Sequence, residues 1–182
     1  MTVLSSYYLA PISYYALLAQ ADEVVIDCDE PYRKQTLRNR CWIASPNGPV
    51  ALTVPVAKFV PYHTPVRDIR ISDHGNWRHL HWNALKSSYG RTPFFEYYAD
   101  EIAVFYERRW QFLADYNAAL QQTVSRLLDL SQPRPAHPRC FPYYQMFSDR
   151  HGFMPDLSIV DLLFNMGPES IYYLFDPDIL KK

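Results

Sequence analysis

The hydrophobic pattern changes its period at Ser72-Asp73, and no other feature constrains the fold as strongly. Before that point, short apolar runs rich in Val, Ile and Tyr are separated by turn residues, as in strands. After it, apolar residues recur at three- and four-residue intervals over long stretches, as in helices that bury one face. A β-rich N-terminal third followed by a helical remainder predicts an α+β fold. The 182 residues read as one domain, 1–182. A domain of that size buries about 70% of the surface its unfolded chain exposes, so it needs no metal or disulfide staple.

Residues 2–9 are β-prone, and Pro11 opens a helix to about residue 21 with Tyr14, Tyr15, Leu17 and Leu18 on its apolar face. Val24-Val25-Ile26 is a buried strand, so the three elements predict a short β-α-β unit. Residues 40–44 and 51–56 read as strands joined by Ser45-Pro46-Asn47-Gly48-Pro49, whose Asn-Gly tolerates positive φ. Residues 68–72 continue the β pattern, with Ile69 and Ile71 on one face. Helices are expected over about 77–89, 93–106 and 112–130, the second with Thr92 as N-cap and Pro93 in its first position. Prolines between 133 and 138 break the chain. A last helix covers about 155–166, capped by Asp156 and stopped at Gly167.

Several function classes drop out. A formal net charge of −1 gives no bulk attraction to polyanions, so a nucleic acid polymer is not the expected partner and anion recognition must be local. No run approaches the ~18 apolar residues of a membrane span. The N-terminal residues lack the basic start and apolar run of a signal peptide, so a cytoplasmic protein without membrane insertion is expected. Cys28, Cys41 and Cys140 have no pairing or metal-ligand spacing and read as small buried hydrophobes. The glycine loops of dinucleotide and P-loop sites are missing, as is the GxSxG nucleophile elbow of serine hydrolases. His79 and His81 would point about 200° apart on one helix, so no metal site is expected.

The candidate site starts from residues 31–40, where Arg33, Lys34, Arg38 and Arg40 fall within eight residues. Guanidinium and ammonium groups match phosphate and carboxylate oxygens. In an extended chain Lys34, Thr36, Arg38 and Arg40 share one face, with Arg33, Gln35, Leu37 and Asn39 on the other. The competing reading pairs these cations with Asp27, Asp29 and Glu30. The turn at residues 7–15 enters a helix whose first N–H groups suit an anion, or simply packs its aromatic residues. His81 is a candidate proton-transfer group. Asp161 and Asn165 share one face of the last helix and would line a pocket edge.

Taken in order, these segments resemble the WbqC-like family of bacterial proteins. The resemblance rests on Tyr8-Leu9-Ala10-Pro11-Ile12-Ser13-Tyr14-Tyr15 with Ala21-Asp22, on residues 32–40, and on Leu52-Thr53-Val54-Pro55-Val56. It continues through Trp77, His81-Trp82, Tyr89, Pro93-Phe94-Phe95 and the stretch from Gly152-Phe153 to Gly167. It implies a cytoplasmic role in making or modifying activated sugars for surface polysaccharide such as O-antigen, and carries over no catalytic residue. The first reading is therefore a transferase moving an acyl or aminoacyl group onto an amino sugar or related amine. Its substrate is small, anionic or nucleotide-linked. Lys34, Arg38 and Arg40 would hold the anion, Tyr14, Gln35 and Asn39 would orient polar groups, and His81 would move the proton. The second reading is a non-catalytic accessory protein that binds a partner through an aromatic surface. A concave pocket holding the basic segment and the Tyr14 helix supports the first. Arginines tied into salt bridges beside a broad aromatic patch support the second.

Overall fold

The computed structural model describes residues 1–131, 135, 137–176 and 178–180. Of the expected proline break, Pro135 and Pro138 are among the described residues, while Pro133, Arg134 and Ala136 lie outside them. Strand β1 (Thr2–Ser5) leads into helix α1 (Ile12–Gln20) and returns as β2 (Val24–Asp27). The strands pair in parallel with Val3 opposite Val25, which makes the β-α-β unit anticipated from the pattern. Strand β3 (Arg40–Ile43) pairs antiparallel with β4 (Val50–Thr53), Cys41 opposite Leu52. Their turn is closed by reciprocal Ser45 and Gly48 main-chain bonds, with Gly48 at φ 102°. Asn47 stays at negative φ, so glycine alone supplies the left-handed residue.

Residues 68–72 do not form the expected strand. Their neighbours are spread over two segments, so Ile71 bridges Val56 and Arg70 bridges Phe112 without a continuous ladder. The helical part comprises α2 (Trp77–Tyr89), α3 (Phe95–Glu107), α4 (Leu113–Leu127), α5 (Ser148–His151), α6 (Ile159–Met166) and α7 (Ser170–Tyr173). The fold is α+β, with strands confined, among the described residues, to the N-terminal part.

Helix α6 organises the interior. Ile159, Val160, Asp161, Leu162, Leu163, Phe164 and Asn165 are all buried, and the helix packs on α1, α2 and α3. A helix buried all round must be apolar or internally satisfied on every face. It ends at Gly167, whose φ of 55° suits glycine and where a Cβ would lie 2.4 Å from the Phe94 ring. Two expected caps act elsewhere. Thr92 donates its hydroxyl to the Tyr89 carbonyl at the end of α2, while α3 begins at Phe95. Asp156 lies ahead of α6 but accepts from Ser13 N at 2.8 Å and Ser13 Oγ at 3.0 Å, capping α1 across the fold.

Candidate functional site

The basic segment is a run of turns between β2 and β3, so the alternation expected of an extended chain does not apply. Gln35 sits at φ 58°. Each of the three preceding carboxylates has its own task. Asp27 accepts the main-chain N–H groups of Asp29 and Glu30 at 2.8 and 3.2 Å. Asp29 pairs with Arg67. Glu30 takes Arg38 in a two-pronged pair, Nε at 2.9 Å and Nη2 at 2.5 Å. Arg38 also donates to Thr36 Oγ1 at 3.2 Å and is only 7% exposed, so its guanidinium braces the loop.

The remaining cations have no carboxylate partner among the described residues. Arg33 and Lys34 are exposed, and the Lys34 ammonium sits 5.3 Å from the centre of the Phe59 ring. Arg40 donates Nε to Thr53 Oγ1 at 3.0 Å across the hairpin. Arg33 and Lys34, but neither Arg38 nor Arg40, line a pocket of about 400 Å³ whose walls also include Tyr32, Thr36, Phe59 and Tyr62, with no carboxylate among the described residues. Its far wall is a turn in which His63 and Thr64 return their N–H groups to the Val60 carbonyl. Thr64 O accepts from Tyr32 N at 2.9 Å and fixes the two walls together. Tyr32 packs edge-on against Phe59, 4.9 Å between centres. Burial pushes the Tyr32 phenol up to about 12, while the nearby charges of Arg38 and Arg40 pull the other way.

The other expected site residues lie apart from this pocket. Asn39 is buried, donating Nδ2 to Val54 O at 2.8 Å, and its Oδ1 has no partner among the described residues. Gln35 is exposed on the loop. Tyr14 donates its hydroxyl toward Ser5 O at 2.8 Å and lines a separate groove of about 340 Å³ with Tyr7, Ser13 and Asp156. The anion at the start of α1 is thus the chain's own Asp156 carboxylate.

His81 belongs to an aromatic cluster in the interior. Tyr8 Oη lies 3.0 Å from His81 Nδ1 and 2.8 Å from Tyr106 Oη, so its one proton serves one neighbour and a lone pair serves the other. Trp77, Tyr106 and Tyr116 complete the walls. Burial drives the imidazole down to about 4, with the Thr53 main chain only partly offsetting it, so the ring is neutral near pH 7. Cys41 borders the same cluster, and burial raises its thiol well above the usual range, leaving an unreactive group. Cys140, by contrast, is exposed.

A second interior network centres on Asp161, which accepts from Tyr89 Oη at 2.9 Å, from Gln145 Nε2 at 2.9 Å and from Tyr143. Tyr89 in turn accepts from Ala44 N at 3.0 Å, tying the β hairpin to α6. Gln145 also clasps Met154 through both its main-chain groups. Asp161 therefore joins four segments rather than edging a pocket. Sequence reasoning missed the 59–62 turn, which only the aromatic residues Phe59 and Tyr62 beside Pro61 could have signalled. Among the described residues no His, Cys, Asp and Glu group is placed to hold a metal, and no helix is long and apolar enough to cross a membrane.

Fold and site together define an α+β protein with a cation-rimmed, aromatic-walled pocket. Residues 5–137 match the WbqC-like protein family, and the chain belongs to that family. It is similar to the uncharacterized protein Rv1507c of Mycobacterium tuberculosis, 28% identical with 96% of each chain covered. No solved structure matches.

Proposed function

We propose that this protein is a cytoplasmic transferase of surface-polysaccharide precursor metabolism that binds a nucleotide-linked sugar in the pocket beside Lys34. One observation carries this reading. Asp27, Asp29 and Glu30 are engaged elsewhere or by Arg38, which leaves Arg33 and Lys34 at an aromatic-walled cavity containing no opposing carboxylate. A diphosphate supplies the missing charge, and Phe59 and Tyr62 offer ring faces to a base or sugar. Arg38 shapes the loop, and Arg40 adds positive potential behind Tyr32.

The reaction class is acyl or aminoacyl transfer to an amine on the sugar. The amine nitrogen attacks the carbonyl carbon of a thioester-class donor and the C–N bond forms. The carbonyl–sulfur bond breaks, and the amine proton leaves with the thiol. Fixed cations contribute by holding the substrate in place. His81, buried and neutral, is given no part in that step. UDP-N-acetylglucosamine, UDP-glucose and dTDP-glucose serve as calorimetric probes. At least one binds the wild-type chain saturably, and the Arg33→Gln/Lys34→Gln variant loses that binding at least tenfold. Equal binding by both proteins would remove this pocket from the site.

A further inference from the structure

A second cationic groove lies at the opposite end of the β3–β4 hairpin. It measures about 670 Å³ and is formed by Pro46 of the hairpin turn, Lys86 and Arg91 around the end of α2, and Met146, Phe147 and Arg150 near α5. Two separate chain segments deliver its three cations, Lys86 and Arg91 from the end of α2 and Arg150 from α5. None of the three has a carboxylate within ion-pair distance among the described residues, and the groove walls carry no acid. Lys86 does contact the Trp82 ring, 5.9 Å from its centre, which leaves its ammonium donors unused. Pro46, Met146 and Phe147 give the groove an apolar floor. His151 adds a ring nitrogen 3.0 Å from Pro46 O at its margin.

In a chain of net charge −1, such a convergence is not a by-product of overall basicity. The electrostatic effect of the α2 carbonyl end accounts for part of it, since cations are favoured there. That effect involves Lys86 and Arg91 and does not require Arg150, which arrives from a segment about sixty residues later in the chain. We infer that this groove is a second anion site, built for a small ligand with adjacent phosphate groups, the pyrophosphate class. Two neighbouring phosphates carry roughly three negative charges near neutral pH, matching three donors that otherwise face water. The apolar floor accommodates a non-polar substituent on the phosphates. The site is independent of the pocket beside Lys34.

Inorganic pyrophosphate, titrated calorimetrically, tests this. The Arg33→Gln/Lys34→Gln variant removes the first pocket's contribution and serves as the background. Saturable binding persists in that background and disappears when Lys86→Gln, Arg91→Gln and Arg150→Gln are added. Each of the three substitutions alone weakens it roughly tenfold, the effect of losing one charge-assisted contact. All three residues are exposed, and circular dichroism of each variant matches that of the parent. The inference is overturned by no saturable binding in the background variant, by binding indifferent to the three substitutions, or by retention of single-stranded oligonucleotide alone. A stability loss in the variants without any change in binding likewise overturns it, since that is the signature of cations serving only the helix end.

Discussion

The interior of this protein and its rim use the same polar groups for opposite ends. Around Asp161 and His81, buried hydroxyls, amides and rings bond to one another inside the core. Around Lys34 the chain brings cations together and leaves them without carboxylates. Burial raises the worth of every hydrogen bond and the penalty for every missing partner, so the interior specifies the fold. Exposed charges contribute little to stability and are available to a ligand. Residue type alone does not separate the two: Arg38 and Lys34 belong to one segment, yet one braces the loop against a carboxylate and the other has no carboxylate partner among the described residues.

The sharpest way to break the contrast is Asp161→Leu. It strands the Tyr89 and Tyr143 hydroxyl protons and takes one acceptor from the Gln145 amide, and should lower unfolding free energy by about 4 kcal/mol in urea denaturation. Unchanged stability would mean the network is not a structural node. His81 gives the next largest effect. Its folded pKa, about 4, lies below the ordinary 6.5, so the unfolded chain takes up the proton first as pH falls. The stabilisation is complete above about pH 6.5 and is lost as pH drops toward 4. It amounts to about 3 kcal/mol, seen as the difference between wild type and His81→Gln across that window. A parallel pair of pH curves would place the imidazole in contact with water.

Arg38→Gln tests the border between the regions. It leaves the half-covered Glu30 carboxylate without its pair and should reduce stability by roughly 2 kcal/mol, while weakening nucleotide-sugar binding through the loosened loop. Glu30→Gln combined with Arg38→Gln should recover part of the lost stability, as measured by a double-mutant cycle. The smallest effect on stability is expected at the rim. Lys34→Gln should leave the melting curve within about 0.5 kcal/mol of wild type while reducing ligand affinity. Destabilisation without loss of binding would reverse the assignment of the two regions.

Much of the architecture was legible from local pattern. The parallel β-α-β unit, the hairpin at Gly48, α2 over Trp77–Tyr89 and the stop at Gly167 all follow from short-range rules of periodicity and backbone freedom. The site was legible in part. The basic segment announces itself by composition, but which of its cations remain unpaired depends on Asp27, Asp29 and Glu30. Those three carboxylates are identical in kind and differ only in what the fold puts opposite them.

Amino-acid order by itself determined the types of most elements, residues 68–72 excepted, because periodicity, turn glycine and proline placement act over a few residues. Only the tertiary structure decided that Asp156 caps α1 rather than α6, that His81 is sealed among tyrosines, and that Phe59 and Tyr62 face Lys34. Those outcomes join residues far apart in the chain. An ion pair or a hydrogen bond takes its partner from spatial proximity, and proximity across so many residues is set by how the core closes.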